Sequence, residues 1–222
     1  MPCVFNPRCA EENPMKLHSD SFPDQGAIPD EFTFCKPDPK EHATMSANRS
    51  PHLSWSEVPE GVQSFVIICD DVDVPSIFDD VNQEGKVLPA DMPRIHFYHW
   101  VLTDIPTAIT ELPAGADADG ITAKGKPVGP TDHGVRGIND YTMFMASNPD
   151  MAGDYGGYDG PCPPWNDERL HHYVFSVYAL DVESLGLSGA FTAKDALQAM
   201  EGHILAKADW TGTYTQNPSV KG

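Results

Sequence analysis

The sequence predicts a mostly β single domain, and three observations carry that expectation. The chain has 222 residues, a length that all-β domains routinely reach as one unit. Its 21 prolines and 18 glycines cluster between short apolar runs, as many short strands joined by irregular loops require. Those runs are β-branched and aromatic rather than helical in period.

Taken along the chain, Ser64-Phe65-Val66-Ile67-Ile68-Cys69 is apolar on both faces, as a central strand would be. It runs into an acidic, Pro-terminated turn, Asp70-Asp71-Val72-Asp73-Val74-Pro75. Phe97 to Thr103 and Tyr173 to Leu180 read as two further strands. Strict alternation in the first of these puts His99 on one face with Phe97 and Val101, and Tyr98 and Trp100 on the other. One segment has helical periodicity: Leu197, Met200, Ile204 and Leu205 fall on one face, with Thr192 as N-cap and Asp195 three residues on. Gly202 lies inside that span at a cost of about 1 kcal/mol relative to alanine. Trp210 to Thr215 reads as a last short strand. There is no internal repeat or domain linker. The loops at 36–50, 76–96 and 140–157 read as insertions, the last two long enough to serve function.

A formal charge of −19 repels nucleic-acid backbones and anionic lipid surfaces, so a phospholipid would be met as a head group in a pocket. No apolar run approaches the roughly 18–20 residues needed to span a bilayer. The N-terminal stretch lacks a charged segment followed by an apolar one, which makes the cytoplasm the expected compartment. The five cysteines, Cys3, Cys9, Cys35, Cys69 and Cys162, are odd in number and irregularly spaced, which argues against a disulfide framework. Cys3 and Cys9 either sit in a loosely held terminus or pair with each other or a metal.

Carboxylates at a strand end, single histidines on two other strands and a stiff Gly/Pro loop can build one small polar pocket. Asp70, Asp71 and Asp73 are either a solvated acidic turn or carboxylates held by backbone N–H groups or a cation. Alternation puts Asp71 and Asp73 on one face, aimed at one site, and Pro75 fixes the chain's exit. His99 is either a hydrogen-bonded core residue or a ligand-binding imidazole. His171 and His172 point to opposite faces, so only one can share a site with His99. Cys162 lies in Gly160-Pro161-Cys162-Pro163-Pro164 and reads more simply as a wall residue than as a thiolate nucleophile, since cysteine-protease signatures are missing. No spacing rule supports a metal site at Asp71, His99 and His171, and no cofactor is expected.

The order of these segments resembles the phosphatidylethanolamine-binding protein family, in its bacterial Raf kinase inhibitor-like branch. Met15-Lys16-Leu17-His18-Ser19 with Ile28-Pro29 looks like the family's bacterial opening, which makes residues 1–14 an extension and 15–222 the domain. Ser50-Pro51-His52-Leu53-Ser54-Trp55, Asp71-Val72-Asp73-Val74-Pro75, His99-Trp100-Val101, the Gly160–Pro164 loop, His171-His172-Tyr173 and Gly212-Thr213-Tyr214 follow in the family's order. The resemblance implies an antiparallel Greek-key β-sandwich with a few peripheral helices, one near the C-terminus. It also implies an anion pocket lined by Asp71, His99, Gly160, Cys162, His171 and Tyr173, with Asp73 and Pro75 at its rim and Pro163 and Trp100 close by. His172 stands where many members carry Arg, which removes a permanent charge behind the site. The segment Trp165 to Leu170 looks one residue longer than usual.

The expected function is a non-enzymatic ligand-binding or regulatory protein for a small phosphorylated or carboxylate anion, a phospholipid head group among them. A kinase or protease partner follows from family analogy alone. The alternative is a hydrolase or lyase using Asp71, His99 and His171 with Cys162 or a metal. The apolar insertion Ile77 to Ile95 suggests a homodimer interface, or else a segment folded back on its own domain.

Overall fold

A computed structural model describes residues 15–221. Among these residues, twelve strands and two α-helices follow the punctuation read from the sequence. The first half contains β1 (Lys16–His18), β2 (Gly26–Ala27), β3 (Cys35–Asp38), β4 (His42–Met45), β5 (Leu53–Ser56) and the long β6 (Ser64–Pro75). Then come β7 (Arg94–Pro106), β8 (Glu111–Leu112), β9 (Gly129–Thr131), β10 (Gly134–Arg136) and α1 (Tyr141–Phe144). The chain closes with β11 (His171–Leu180), α2 (Ala193–Ala199) and β12 (Ile204–Tyr214).

Seven strands form the main sheet in the order β2-β12-β11-β6-β7-β10-β9. Its pairs are antiparallel except β12 with β2, which run parallel, so the sheet is mixed rather than wholly antiparallel. A smaller sheet, β1-β5-β8, joins it across the main core, where Leu17, Leu53, Trp55 and Leu112 pack with Phe65, Ile67, Trp100, Leu102, Phe175 and Val177. The β3–β4 hairpin stands apart as a third sheet. The other face of the main sheet is covered near α2, where Val101 packs with Phe191, Ala193 and Ala196. No helix among the described residues is long and apolar enough to cross a membrane.

Three expectations about local structure need correction. The acidic segment Asp70 to Pro75 continues β6 and is not a turn, because it keeps pairing with β11 and β7. The helix ends at Ala199, and Gly202 follows it at φ +82°, a left-handed conformation that lets the chain turn back. Ile204 and Leu205 therefore begin β12, while the N-terminal end holds as read, with Thr192 and Asp195 forming a reciprocal cap. Third, Cys69 pairs with Trp100 and Asp70 with Tyr98, which leaves His99 as an extra residue in β7. Such a bulge breaks alternation. Trp100 turns into the main core, Val101 faces α2, and only Phe97 remains with His99.

Candidate functional site

The ends of β6, β7 and β11 that carry Asp71, His99, His171 and Tyr173 meet at a cavity of about 50 Å³. That is room for a few waters, or for one acetate- or phosphate-sized group. Its apolar wall comes from Val74, Pro75, Phe97, Cys162, Pro163 and Pro164. The two long insertions complete it: Phe78, Val81 and Asn82 from one, Tyr141 and Phe144 from the other.

His171 is the centre of a buried charge relay. Its Nδ1 meets Asp71 Oδ2 at 2.7 Å and its Nε2 meets Asp167 Oδ2 at 3.1 Å. Carboxylates only accept, so both ring nitrogens carry protons and both are spent. Burial opposes the charge, but the Asp71 carboxylate and the hydrogen bonds to Asp167 and Asp71 outweigh it and raise the pKa to about 9. Asp167 is held in turn by a two-pronged Arg94, at 2.6 and 3.0 Å. Burial would raise the Asp167 pKa, and the bonds from His171 and Arg94 bring it below its usual value.

Behind this relay, Asp73 turns away from the cavity, because the β6–β7 register shifts between Asp71 and Val74. Its backbone N–H donates to Asp71 Oδ1 (2.9 Å), while its carboxylate takes Arg169 Nε (2.8 Å) and His172 Nδ1 (2.7 Å). Burial pushes the Asp73 pKa up, and these partners more than reverse it. The permanent charge expected to be lost with His172 is thus supplied by Arg169, from the segment that reads as one residue longer than usual.

His99 differs from His171. Its Nδ1 lies 2.8 Å from the Asp159 carbonyl oxygen, an acceptor, so the proton sits on Nδ1. Among the described residues no group bonds to Nε2. Burial lowers its pKa against the pull of the Asp71 carboxylate and the Asp159 carbonyl, which keeps the ring neutral at pH 7. Asp159 is itself fixed by Asn48, Lys126 and Asn139, all buried. Tyr173 is fully buried on the cavity wall, and its hydroxyl has no hydrogen-bond partner. Burial, then the Asp71 charge, pushes its pKa well above 10, so it stays a phenol. The Asp71 carboxylate attracts this hydroxyl without reaching hydrogen-bond geometry.

Gly160 is not on the wall. Its N–H donates to Asn48 Oδ1 (2.8 Å), and a Cβ there would come within 2.3 Å of the Phe32 carbonyl oxygen. It is required for close approach, and its N–H is not available to a ligand. Trp100 lies in the core rather than beside the cavity. Cys162 lines the wall as half of a Cys35–Cys162 disulfide. The odd cysteine count concealed this single bridge. It leaves Cys69 free and buried, and Cys3 and Cys9 lie outside the described residues. Beyond the placing of Asp167 four positions before His171, local sequence pattern does not point to Asp167, Arg94 or Arg169.

The match to known proteins falls on the same segments. Residues 18–215 match the family model described as phosphatidylethanolamine-binding protein. The chain belongs to that family. It is 36% identical over 180 residues to a UPF0098 protein of Aquifex aeolicus, covering 81% of each. A UPF0098 protein of Methanothermobacter thermautotrophicus is 34% identical, over 90% of this chain and 98% of that one. The crystal structure of Escherichia coli YbcL, described as a new member of the mammalian PEBP family, superposes with a TM-score of 0.64 at 25% identity, covering 90% of this chain and 98% of YbcL. Family membership supports a ligand-binding role in general.

Proposed function

We propose that this is a binding or regulatory protein, not an enzyme, and that the cavity takes a small phosphoryl or carboxylate group. The observation that carries the reading is the Tyr173 hydroxyl, fully buried on the cavity wall without a partner. An unsatisfied buried hydroxyl costs about 1–3 kcal/mol, which a ligand oxygen would recover. The hydrolase or lyase alternative loses its parts: Cys162 is a disulfide and both His171 nitrogens are engaged. Among the described residues no group of three ligating side chains is arranged to hold a metal ion.

The test separates binding from stability. Tyr173→Phe should weaken acetate and phosphoethanolamine binding by about tenfold or more, while leaving the empty protein as stable or slightly more so. Unchanged affinity by calorimetry would refute the pocket assignment. A protein partner such as a kinase or protease would meet the same mouth, where Phe78 and Phe144 stand half exposed.

We also carry the homodimer as part of this reading. Within the insertion Leu88 is buried and trades backbone hydrogen bonds with Asn166 and Glu168, so much of the segment folds onto its own domain. Ile77, Val87 and Ile95 remain exposed and would form the interface. Light scattering at micromolar concentration should give a dimer that Ile77→Asp with Val87→Asp dissociates. A wild-type monomer sinks this part.

A further inference from the structure

The hydrogen-bond capacity of the cavity is almost fully spent on the protein itself, and what remains defines the ligand. His171 gives both N–H groups to Asp71 and Asp167. Tyr141 gives its hydroxyl to the Gly160 carbonyl (2.7 Å), and Gly160 gives its N–H to Asn48. His99 gives Nδ1–H to the Asp159 carbonyl. Two polar atoms are left in its buried part: the Tyr173 hydroxyl, which can donate, and His99 Nε2, which on a neutral ring can only accept; at the exposed rim the Asn82 side-chain N–H₂ is a further donor. Nor is there spare positive charge. The buried carboxylates Asp71, Asp73 and Asp167 are matched by the cations His171, Arg169 and Arg94.

At the buried end a fully ionised oxyanion would therefore meet one donor, one lone pair and the Asp71 carboxylate. An oxyanion that keeps a hydroxyl meets complementary groups: an O–H for Nε2 and an oxygen for Tyr173. We propose that the cavity selects an oxyanion carrying a hydroxyl, a phosphomonoester monoanion or an undissociated carboxyl group, over a phosphodiester. The inference rests on the binding reading above and narrows it. A diester has no proton to offer, so its binding requires His99 to become an imidazolium. Every neighbour bears on that step. From β6 comes Asp71, and from β11 Tyr173 and the already charged His171. Asp140 and Tyr141 face the ring from the start of α1, and Asp159 from its loop. The surrounding carboxylates favour the imidazolium, but burial outweighs them.

Calorimetric titration at pH 6.5 with methyl phosphate and dimethyl phosphate tests this on the wild-type protein. The second ionisation of a phosphomonoester lies near pH 6, so the monoanion is abundant there. Methyl phosphate should bind at least about tenfold tighter, one hydrogen bond to a charged group being worth that or more. Dimethyl phosphate affinity should fall about tenfold per pH unit above 6.5, because one proton enters with it. His99→Gln, whose amide can present either N–H or oxygen at the Nε2 position, should shrink the preference to a few-fold and remove that slope. Equal affinities, or a tighter diester, overturn the inference and leave the binding reading standing. Failure of both probes to bind between pH 5.5 and 8.5 overturns both.

Discussion

Replacing His171 by alanine should cost about 3–5 kcal/mol of folding stability, because it leaves two buried carboxylates without their shared cation. Asp71 and Asp167 are each at most 3% exposed, so water cannot take over the role of the imidazolium. The same relay sets a pH dependence. The His171 pKa stands at about 9 in the folded protein against an ordinary 6.5, a difference worth roughly 3 kcal/mol. For a raised pKa the contribution is complete below pH 6.5, declines as pH rises, and is gone above about 9. His99 works on the other side. Its pKa is lowered by burial, so the unfolded chain takes up a proton first and stability is lost as pH falls below 6.5. These two groups together place the stability maximum near pH 6.5. Urea unfolding of the wild type from pH 5 to 9 should show that maximum, and His171→Ala should lose the alkaline decline. A variant destabilised by less than about 1 kcal/mol, or a flat wild-type profile between 6.5 and 9, would mean that the ring does not bridge the two carboxylates as a cation.

What the sequence makes legible is what local pattern controls. The apolar runs at 64–69, 97–103 and 173–180 are the cores of β6, β7 and β11, which lie side by side in the main sheet. Asp71, His99, His171 and Tyr173 gather at one cavity as the motif order implies. The failures come from tertiary events that leave no mark in a short window. A single extra residue in β7 reverses the face assigned to Trp100. A register shift in β6 sends Asp73 to Arg169 instead of the cavity. His171 reads as a donor to a ligand, yet the partners that consume both its nitrogens sit on another strand and in a loop. Which ligand chemistry the cavity suits is decided by that expenditure of donors, and composition cannot report it.

Reducing the Cys35–Cys162 bridge should lower stability by about 2–5 kcal/mol, since it closes a loop of 127 positions and long loops lose most when freed. For a chain of this size each kcal/mol corresponds to roughly 2–4 °C, so the melting temperature should drop by roughly 4–20 °C in reductant. Cys35→Ser should reproduce the drop and become insensitive to reductant. The bridge also reaches the cavity: Phe34 and Cys35 both donate their N–H groups to the Pro161 carbonyl, beside the wall residues Cys162 and Pro163. Loosening it should therefore weaken acetate binding as well as stability. Disulfides persist in oxidising compartments and are rare in the cytosol, so this bridge and the cytoplasmic expectation pull in opposite directions. Alkylation of the unfolded, unreduced protein taken directly from its cell decides between them. Labelling of Cys69 alone among Cys35, Cys69 and Cys162 means that the bridge forms in vivo and that the protein works outside a reducing cytosol. Labelling of all three means that the two thiols stay reduced there, and that the wall of the cavity is held by the Pro161 hydrogen bonds without a covalent tie.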